Sequence, residues 1–462
     1  MTASPSTLEE ALNQLLLRIA KDVEDLRVSG RAIPTVHKFL RRKHEGYSYG
    51  ERGPTTSSWQ TIIAEKQVFS TAAINLTDSL KQTTEWKRTL EESEAAGIKE
   101  ARAQGVLQSF VSSAIERLLE QRSFPLSEQL PDLLALLTDK PRDCGAKVEV
   151  SGLLVPDTPI RVGASGVELL MRRPTLDDVD TEVLPFDPPE AGFSLPSSIL
   201  EVSLRSENPA EVQRVVNQVV TTLRLFVAAG VELKSYEMTS ESLGDVFAGS
   251  KMRQGRFATP YTLGRLVPAD GPFLRTYWGR VFRLIPPSFY DPMDRRWNYL
   301  TTAFDRYSDA LLYGRSTEDR IAHATMGLES LTLRQTEQQE LSYRLRIRLA
   351  RILGLVGMNP HEVEDYIENA YSIRSSYVHG GRLSHERERE LARRTGGSDG
   401  LFRATVNYLR IMILIELLIQ RDKEELISLI DDSFVDERRG QELANMVAQL
   451  REAISTDSRQ VT

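Results

Sequence analysis

The period of the apolar residues switches along this chain, and no other feature restricts its fold as strongly. Near the start, Leu8, Leu12, Leu15, Ile19, Val23 and Leu26 recur at steps of three and four, the spacing of an amphipathic helix. Ser29-Gly30 ends that pattern, and the glycines and proline at Gly46, Gly50, Gly53 and Pro54 suggest a loop. A second helical region runs from about Glu94 to Arg122, with Val106, Phe110, Ala114, Ile115 and Leu118 on one side. Pro125, Pro131 and Pro141 break the next stretch, leaving a short helix around Leu133 to Leu137. At Lys147 the period falls to two: Val148-Glu-Val150 alternates, and Ile160-Arg-Val162 leads through Gly163 to Gly166 into Val167–Met171, a β-hairpin signature. Ser198–Leu204 reads as another strand. Asn208-Pro209 with Glu211 opens a helix striped by Val212, Val216, Val219, Leu223 and Phe226, and Gly230 is expected to close it.

Beyond Pro292 the helical period returns and persists. Trp297, Leu300, Phe304, Tyr307 and Leu311 form one stripe, and Ile321–Leu333 is a second helix. Leu341, Leu345, Leu349, Ile352 and Val356 mark a third, although Tyr343-Arg-Leu-Arg-Ile-Arg-Leu349 also alternates as a strand would. Leu401–Gln420 is apolar nearly all round, as the central helix of a bundle must be. The fold class is therefore α+β. A mainly helical region at 1–145 and a small hairpin-containing α+β module at 146–290, suited to sensing or regulation, precede an all-α bundle at 291–462.

Composition narrows the function. Among 462 residues, 58 Lys+Arg against 65 Asp+Glu give a net charge of −7, which disfavours indiscriminate binding to nucleic acid or anionic membrane. The single cysteine, Cys144, excludes an internal disulfide framework and zinc sites built on paired thiolates. Met1–Glu10 is polar and acidic, unlike a signal peptide, and the longest apolar stretch, Leu409–Ile419, contains Arg410 and Glu416. A cytoplasmic protein without membrane contact is the expectation. There is no Gly-Lys pair for a standard P-loop, and the six histidines show no metal-ligand spacing, so neither metal nor cofactor is expected. Gly396-Gly-Ser398-Asp-Gly400 matches G-x-S-x-G in letters, but it lies between helices and reads as a flexible loop.

The most informative segment is Asn359–Gly381. Asn359 can cap a helix that opens on Pro360, and Gly380-Gly381 can stop it. Val363, Ile367, Ala370, Arg374 and Tyr377 share one stripe, which sets an arginine among core positions. Its burial demands an acidic partner or a polar pocket, and Glu329 on the second bundle helix is a candidate partner. His379 comes five residues later; on a regular helix that is a turn of about 500°, so the two side chains stand roughly 140° apart. Either the glycine stop loosens the last turn, or a second copy of the helix supplies the missing half.

Arg374-Ser-Ser-Tyr-Val-His379, followed by Gly380, resembles the R-x4-6-H motif of HEPN-domain ribonucleases, most closely their Apea-like branch. The resemblance covers about residues 292–430, with Gly327-Leu-Glu-Ser-Leu331 and Leu341–Ala350 on the preceding helices, and extends more weakly to the hairpin near 160–173. It implies a HEPN helical bundle and a homodimer whose protomers pool Arg and His in one metal-independent RNase cleft. Carried over, Arg374 holds the scissile phosphate and His379 transfers protons, with Glu329, Ser375 and Tyr377 supporting them. Ser375 departs from the Asn, Asp or His common at that position. Arg344, Arg348 and Arg351 form a stripe that could steer an RNA backbone, with a solvated helix face as the plainer reading. The implied role is cleavage of cellular RNA in defence against phage or in growth arrest, released when a trigger engages the N-terminal half. The rival role is a non-catalytic dimerising scaffold for a ligand- or protein-binding N-terminal half.

Overall fold

The computed structural model describes residues 142–175, 178, 197–206, 209–239, 252–253, 262–314, 316–380 and 393–450, a strand pair within 35–57, and scattered helical positions between Glu10 and Val28. Those helical positions agree with the first expected helix, while its apolar stripe and the helices expected at 94–122 and 133–137 lie outside the described residues.

Strands β1 (Thr35–His44) and β2 (Tyr47–Ser57) pair antiparallel where the sequence suggests a loop. The register shifts between His37, opposite Thr55, and Phe39, opposite Arg52. That irregularity passes over Gly53 and Pro54, so the proline, which has no N–H to give a ladder, sits where none is needed. Loop-forming residues inside the strand concealed it.

The main sheet takes its order from local turns and long returns. Strand β3 (Arg142–Ser151) lies between β7 (Ser198–Ser206) and β8 (Glu232–Thr239), and the whole runs β5-β6-β7-β3-β8-β9 with every pair antiparallel. The hairpin of β5 (Ile160–Ala164) and β6 (Val167–Arg172) turns through Ser165 and Gly166, both at positive φ (62° and 78°), the two-residue geometry that strand twist favours. At the far edge is the short β9 (Met252–Arg253). A parallel two-residue pair, β4 (Leu153–Leu154) with β10 (Gly264–Arg265), flanks the sheet. Helix α1 (Pro209–Val227) covers one face, and its expected stripe, Val212, Val216, Val219, Leu223 and Phe226, is buried throughout. Ala228 at φ 48°, not Gly230, turns the chain after α1. The glycine that cannot be replaced nearby is Gly152, at φ 78°, whose Cβ would meet the Gly230 carbonyl oxygen at 2.0 Å.

Helix α2 (Asp270–Val281) and three short 3-10 turns lead into the helical part. It consists of α3 (Tyr299–Leu312), α4 (Thr317–Thr332), α5 (Leu341–Leu355), α6 (Pro360–Val378), α7 (Gly397–Ile419), α8 (Lys423–Asp432) and α9 (Glu437–Ala448). Trp297 is no part of the α3 stripe: Asn298 caps the helix one residue later and the indole is 75% exposed. The ambiguous third segment is helical, with Leu345, Leu349, Ile352 and Val356 all buried. Ser398 and Gly400 belong to the first turn of α7 rather than to a flexible loop. Gly327 on α4 admits α7 closely, since a Cβ there would lie 2.5 Å from Leu409 Cδ2. The buried apolar residues form one continuous cluster from Cys144 to Leu450, joining sheet and helices. Among the described residues no helix is long and apolar enough to cross a membrane.

Candidate active site

Helix α6 is built as its sequence suggests. Asn359 Oδ1 accepts from the His361 N–H at 3.1 Å, Pro360 opens the first turn, and Gly380 at φ 70° ends the helix. Val363, Ile367, Ala370 and Ile373 are buried. The stripe does not stay in the core to its end: Arg374 is half-buried and Tyr377 is 44% exposed. Arg374 is therefore not a core arginine but one at the rim, where its head reaches a partner on α4.

That partner is Glu329. Arg374 Nη2 donates to Glu329 Oε2 at 3.0 Å, with 27% of the arginine side chain and 16% of the glutamate side chain exposed. Burial pushes the Glu329 carboxyl up from its ordinary value, and the neighbouring guanidinium opposes that shift. Tyr371 lies beneath, its ring centroid 5.9 Å from Arg374 Cζ. Buried Arg374 Nε has no hydrogen-bond partner among the described residues. The guanidinium is thus oriented by one carboxylate while part of its donor fork remains unspent.

His379 is the exposed C-cap of α6, its N–H bonded to the Ser375 carbonyl at 3.1 Å. Its φ and ψ of −88° and 7° leave the helical region, but its N–H keeps the helical bond to the fourth residue back, and the left-handed turn comes one residue later. The glycine stop therefore does not relieve the rotation between Arg374 and His379, which remains near the roughly 140° of a regular helix. Ser375 is half-buried, and its backbone carbonyl is its contribution to the turn. Among the described residues the structure joins Arg374 to Glu329 and leaves His379 facing solvent beside Tyr377 and Val378.

The three arginines on α5 do not form one exposed surface, because the middle one is buried. Arg348 is 1% exposed and fully engaged: Nε and Nη2 donate to Asp431 at 2.7 and 2.8 Å, Nη1 and Nη2 to Glu337 at 2.8 and 2.6 Å, and Nη1 also to the Thr332 carbonyl. Arg344 pairs with Glu337 at 3.1 Å, and Arg351 donates to the Ser433 hydroxyl and carbonyl. Both the phosphate-steering and the solvated-face readings fail for Arg348 because α8 packs over this side of α5. Acids 11 before and 83 after it in sequence supply the partners, beyond any helix-face pattern.

Two polar clusters escaped the sequence reading. His323 Nε2 lies 3.3 Å from Asp319 Oδ1, and its Nδ1 lies 3.8 Å from Asp309 Oδ2 and 3.2 Å from Arg306 Nη1. The i,i+4 spacing of Asp319 and His323 was a visible signal; Asp309 and Arg306 arrive from α3 by packing. Glu416, an acid in the apolar α7, accepts from the Tyr299 hydroxyl at 3.4 Å and is only 4% exposed. Burial pushes its carboxyl up to about 7. Its protonated form is favoured in the folded chain, so stability is full below the unfolded carboxyl value and falls as pH rises toward 7. Removing that loss by Glu416→Gln should raise stability at pH 8 by up to about 3 kcal/mol, with little change near pH 4.5. Denaturant midpoints across that range check it; parallel curves for wild type and variant would contradict it.

Among the described residues no group of three or more His, Cys, Asp or Glu side chains is placed to hold a metal ion. Compared with known proteins, the chain matches no family model, no curated protein and no solved structure.

Proposed function

We propose that this chain is a HEPN-type endoribonuclease effector that cuts RNA without a metal, in the cytoplasm and as a homodimer. The observation that carries the reading is the Arg374–Glu329 pair set five residues before an exposed His379 at the end of α6. A guanidinium held by a half-buried carboxylate is pre-oriented for a phosphate, and His379 supplies an exposed imidazole, a group able to transfer protons, on another side of the same helix end. In the reaction the ribose 2′-oxygen attacks phosphorus and the 5′-oxygen leaves. His379 takes the 2′ proton or protonates the leaving oxygen, and Arg374 steadies the charge on the phosphoryl oxygens. One imidazole cannot do both in a single step, and the rotation between Arg374 and His379 separates their side chains. Both facts favour a cleft composed from two protomers. The biological setting rests on the resemblance: defence against phage or growth arrest, with the N-terminal half restraining the bundle until a trigger engages it.

A second reading, a non-catalytic scaffold, is favoured by the neutralisation of Arg374 by Glu329. Expression in a bacterial host decides between them. Wild type should arrest growth with fragmented RNA, and His379→Ala should do neither; equal RNA integrity with both would remove the ribonuclease reading. In solution, cleavage should continue in EDTA and leave a 2′,3′-cyclic phosphate or its 3′-phosphate product, because the nucleophile is the substrate's own tethered hydroxyl. An RNA with one deoxyribose 5′ to the scissile bond should resist at that position. Cleavage there would mean that the 2′-hydroxyl is not the attacking group.

A further inference from the structure

We propose that the cavity where α1, β8 and the end of α3 meet binds a small organic anion with an aromatic body, its charge gripped by Arg224. The cavity measures about 400 Å³, within the range that small-molecule sites occupy and too large for an inorganic ion alone to fill.

Its polar end is unusual in its charge balance. Arg224 Nε and Nη2 both donate to the Val231 carbonyl, at 3.0 and 2.9 Å, and Nη1 donates to Ser308 Oγ at 3.2 Å. These partners are neutral. Among the described residues no carboxylate comes within ion-pair distance of this guanidinium, and Glu232, which also lines the cavity, is held by Lys234 at 2.8 Å. Burial disfavours the charge on Arg224. A half-buried cation whose direct partners are a carbonyl and a hydroxyl, with the Glu232 carboxylate acting on it only beyond ion-pair distance, is incompletely compensated, and an incoming anion relieves that cost. Among the described residues three of the five guanidinium N–H groups have partners, which leaves two for a carboxylate or phosphate group.

The rest of the cavity suits a flat apolar body. Val220, Phe289, Tyr290 and Leu312 wall it, and Phe289 is stacked on Phe304 at 4.2 Å between centroids, so that wall is rigid. Asn217 and Thr221 stand along the α1 face that leads to Arg224. The same arginine ties the sheet module to the helices: its carbonyl accepts from the Tyr307 hydroxyl at 2.8 Å, and its Nη1 reaches Ser308. Occupancy of the cavity would therefore bear on the joint between the two parts. Binding here is measured without RNA, so it stands or falls independently of ribonuclease activity.

Titration calorimetry on the full chain, with phenyl phosphate and benzoate as anionic probes and benzyl alcohol as the neutral one, tests the site. At least one anion should bind in the millimolar range or tighter, at least tenfold better than benzyl alcohol. Arg224→Gln should weaken it at least tenfold. Because Arg224 also supports the joint, Asn217→Trp provides an independent arm: it fills the cavity from the α1 side, leaves the guanidinium in place and should abolish binding. Circular dichroism melts without probe report whether each variant folds. No saturable binding by either anion, or unchanged binding in folded Asn217→Trp, would overturn the proposal.

Discussion

Arg374→Lys is expected to reduce RNA cleavage by at least about 100-fold with the fold intact, the size of loss seen when a preorganised charge-stabilising donor is removed. Lysine keeps the charge and can still pair with Glu329, but an ammonium cannot present a planar fork to two phosphate oxygens at once. Arg374→Ala should lose cleavage as completely and cost stability as well, about 1–3 kcal/mol, because a largely buried Glu329 is left without its cation. Burial already raises the Glu329 carboxyl, and removing the guanidinium that opposes the shift raises it further. The alanine variant should therefore lose stability as pH rises above the ordinary carboxylate range, and less so below it. Adding Glu329→Gln should restore stability without restoring cleavage, which separates the structural from the chemical part of the pair. Single-turnover cleavage and denaturant melts measure both; a lysine variant that cuts at the wild-type rate would end the phosphate-clamp assignment.

Arg348→Met should destabilise the helical part strongly, costing about 3 kcal/mol or more. The substitution fits the space but strands Glu337, whose side chain is only 8% exposed, and strips Asp431 of its bidentate partner. Arg334 and Arg344 also reach Glu337, at 3.7 and 3.1 Å, which keeps the loss from growing larger. Hydrogen bonds from Arg348, aided by the Arg334 N–H, lower the Glu337 carboxyl to about 2. That stabilisation is fully present above the unfolded carboxyl value and fades as pH falls toward 2. The gap between wild type and Arg348→Met should accordingly be widest near pH 7 and narrow on acidification. A gap that is small, or that does not change with pH, would show that the network contributes little.

Much of the fold was legible because it rests on periods and punctuation that act within a few residues. The α1 stripe, the Ser165-Gly166 hairpin, the Asn359 cap and the Gly380 stop are local, and each is found where its sequence places it. The partnership of Glu329 with Arg374 was legible for a different reason: a cation on an apolar stripe must find an anion, and few stand on neighbouring core helices. Tertiary structure alone decided which charges face inward. The spacing of Arg344, Arg348 and Arg351 describes a helix face but not the element that lies over it, and α8 buried the middle of that face, Arg348. The arrival of Asp309 beside His323, the depth of Glu416 and the neutral hydrogen-bond partners of Arg224 likewise depend on contacts made across many residues. Sequence sets the direction a side chain leaves its helix, because backbone geometry is local. Whether it enters water, a carboxylate or a cavity depends on desolvation, which only the packed chain determines.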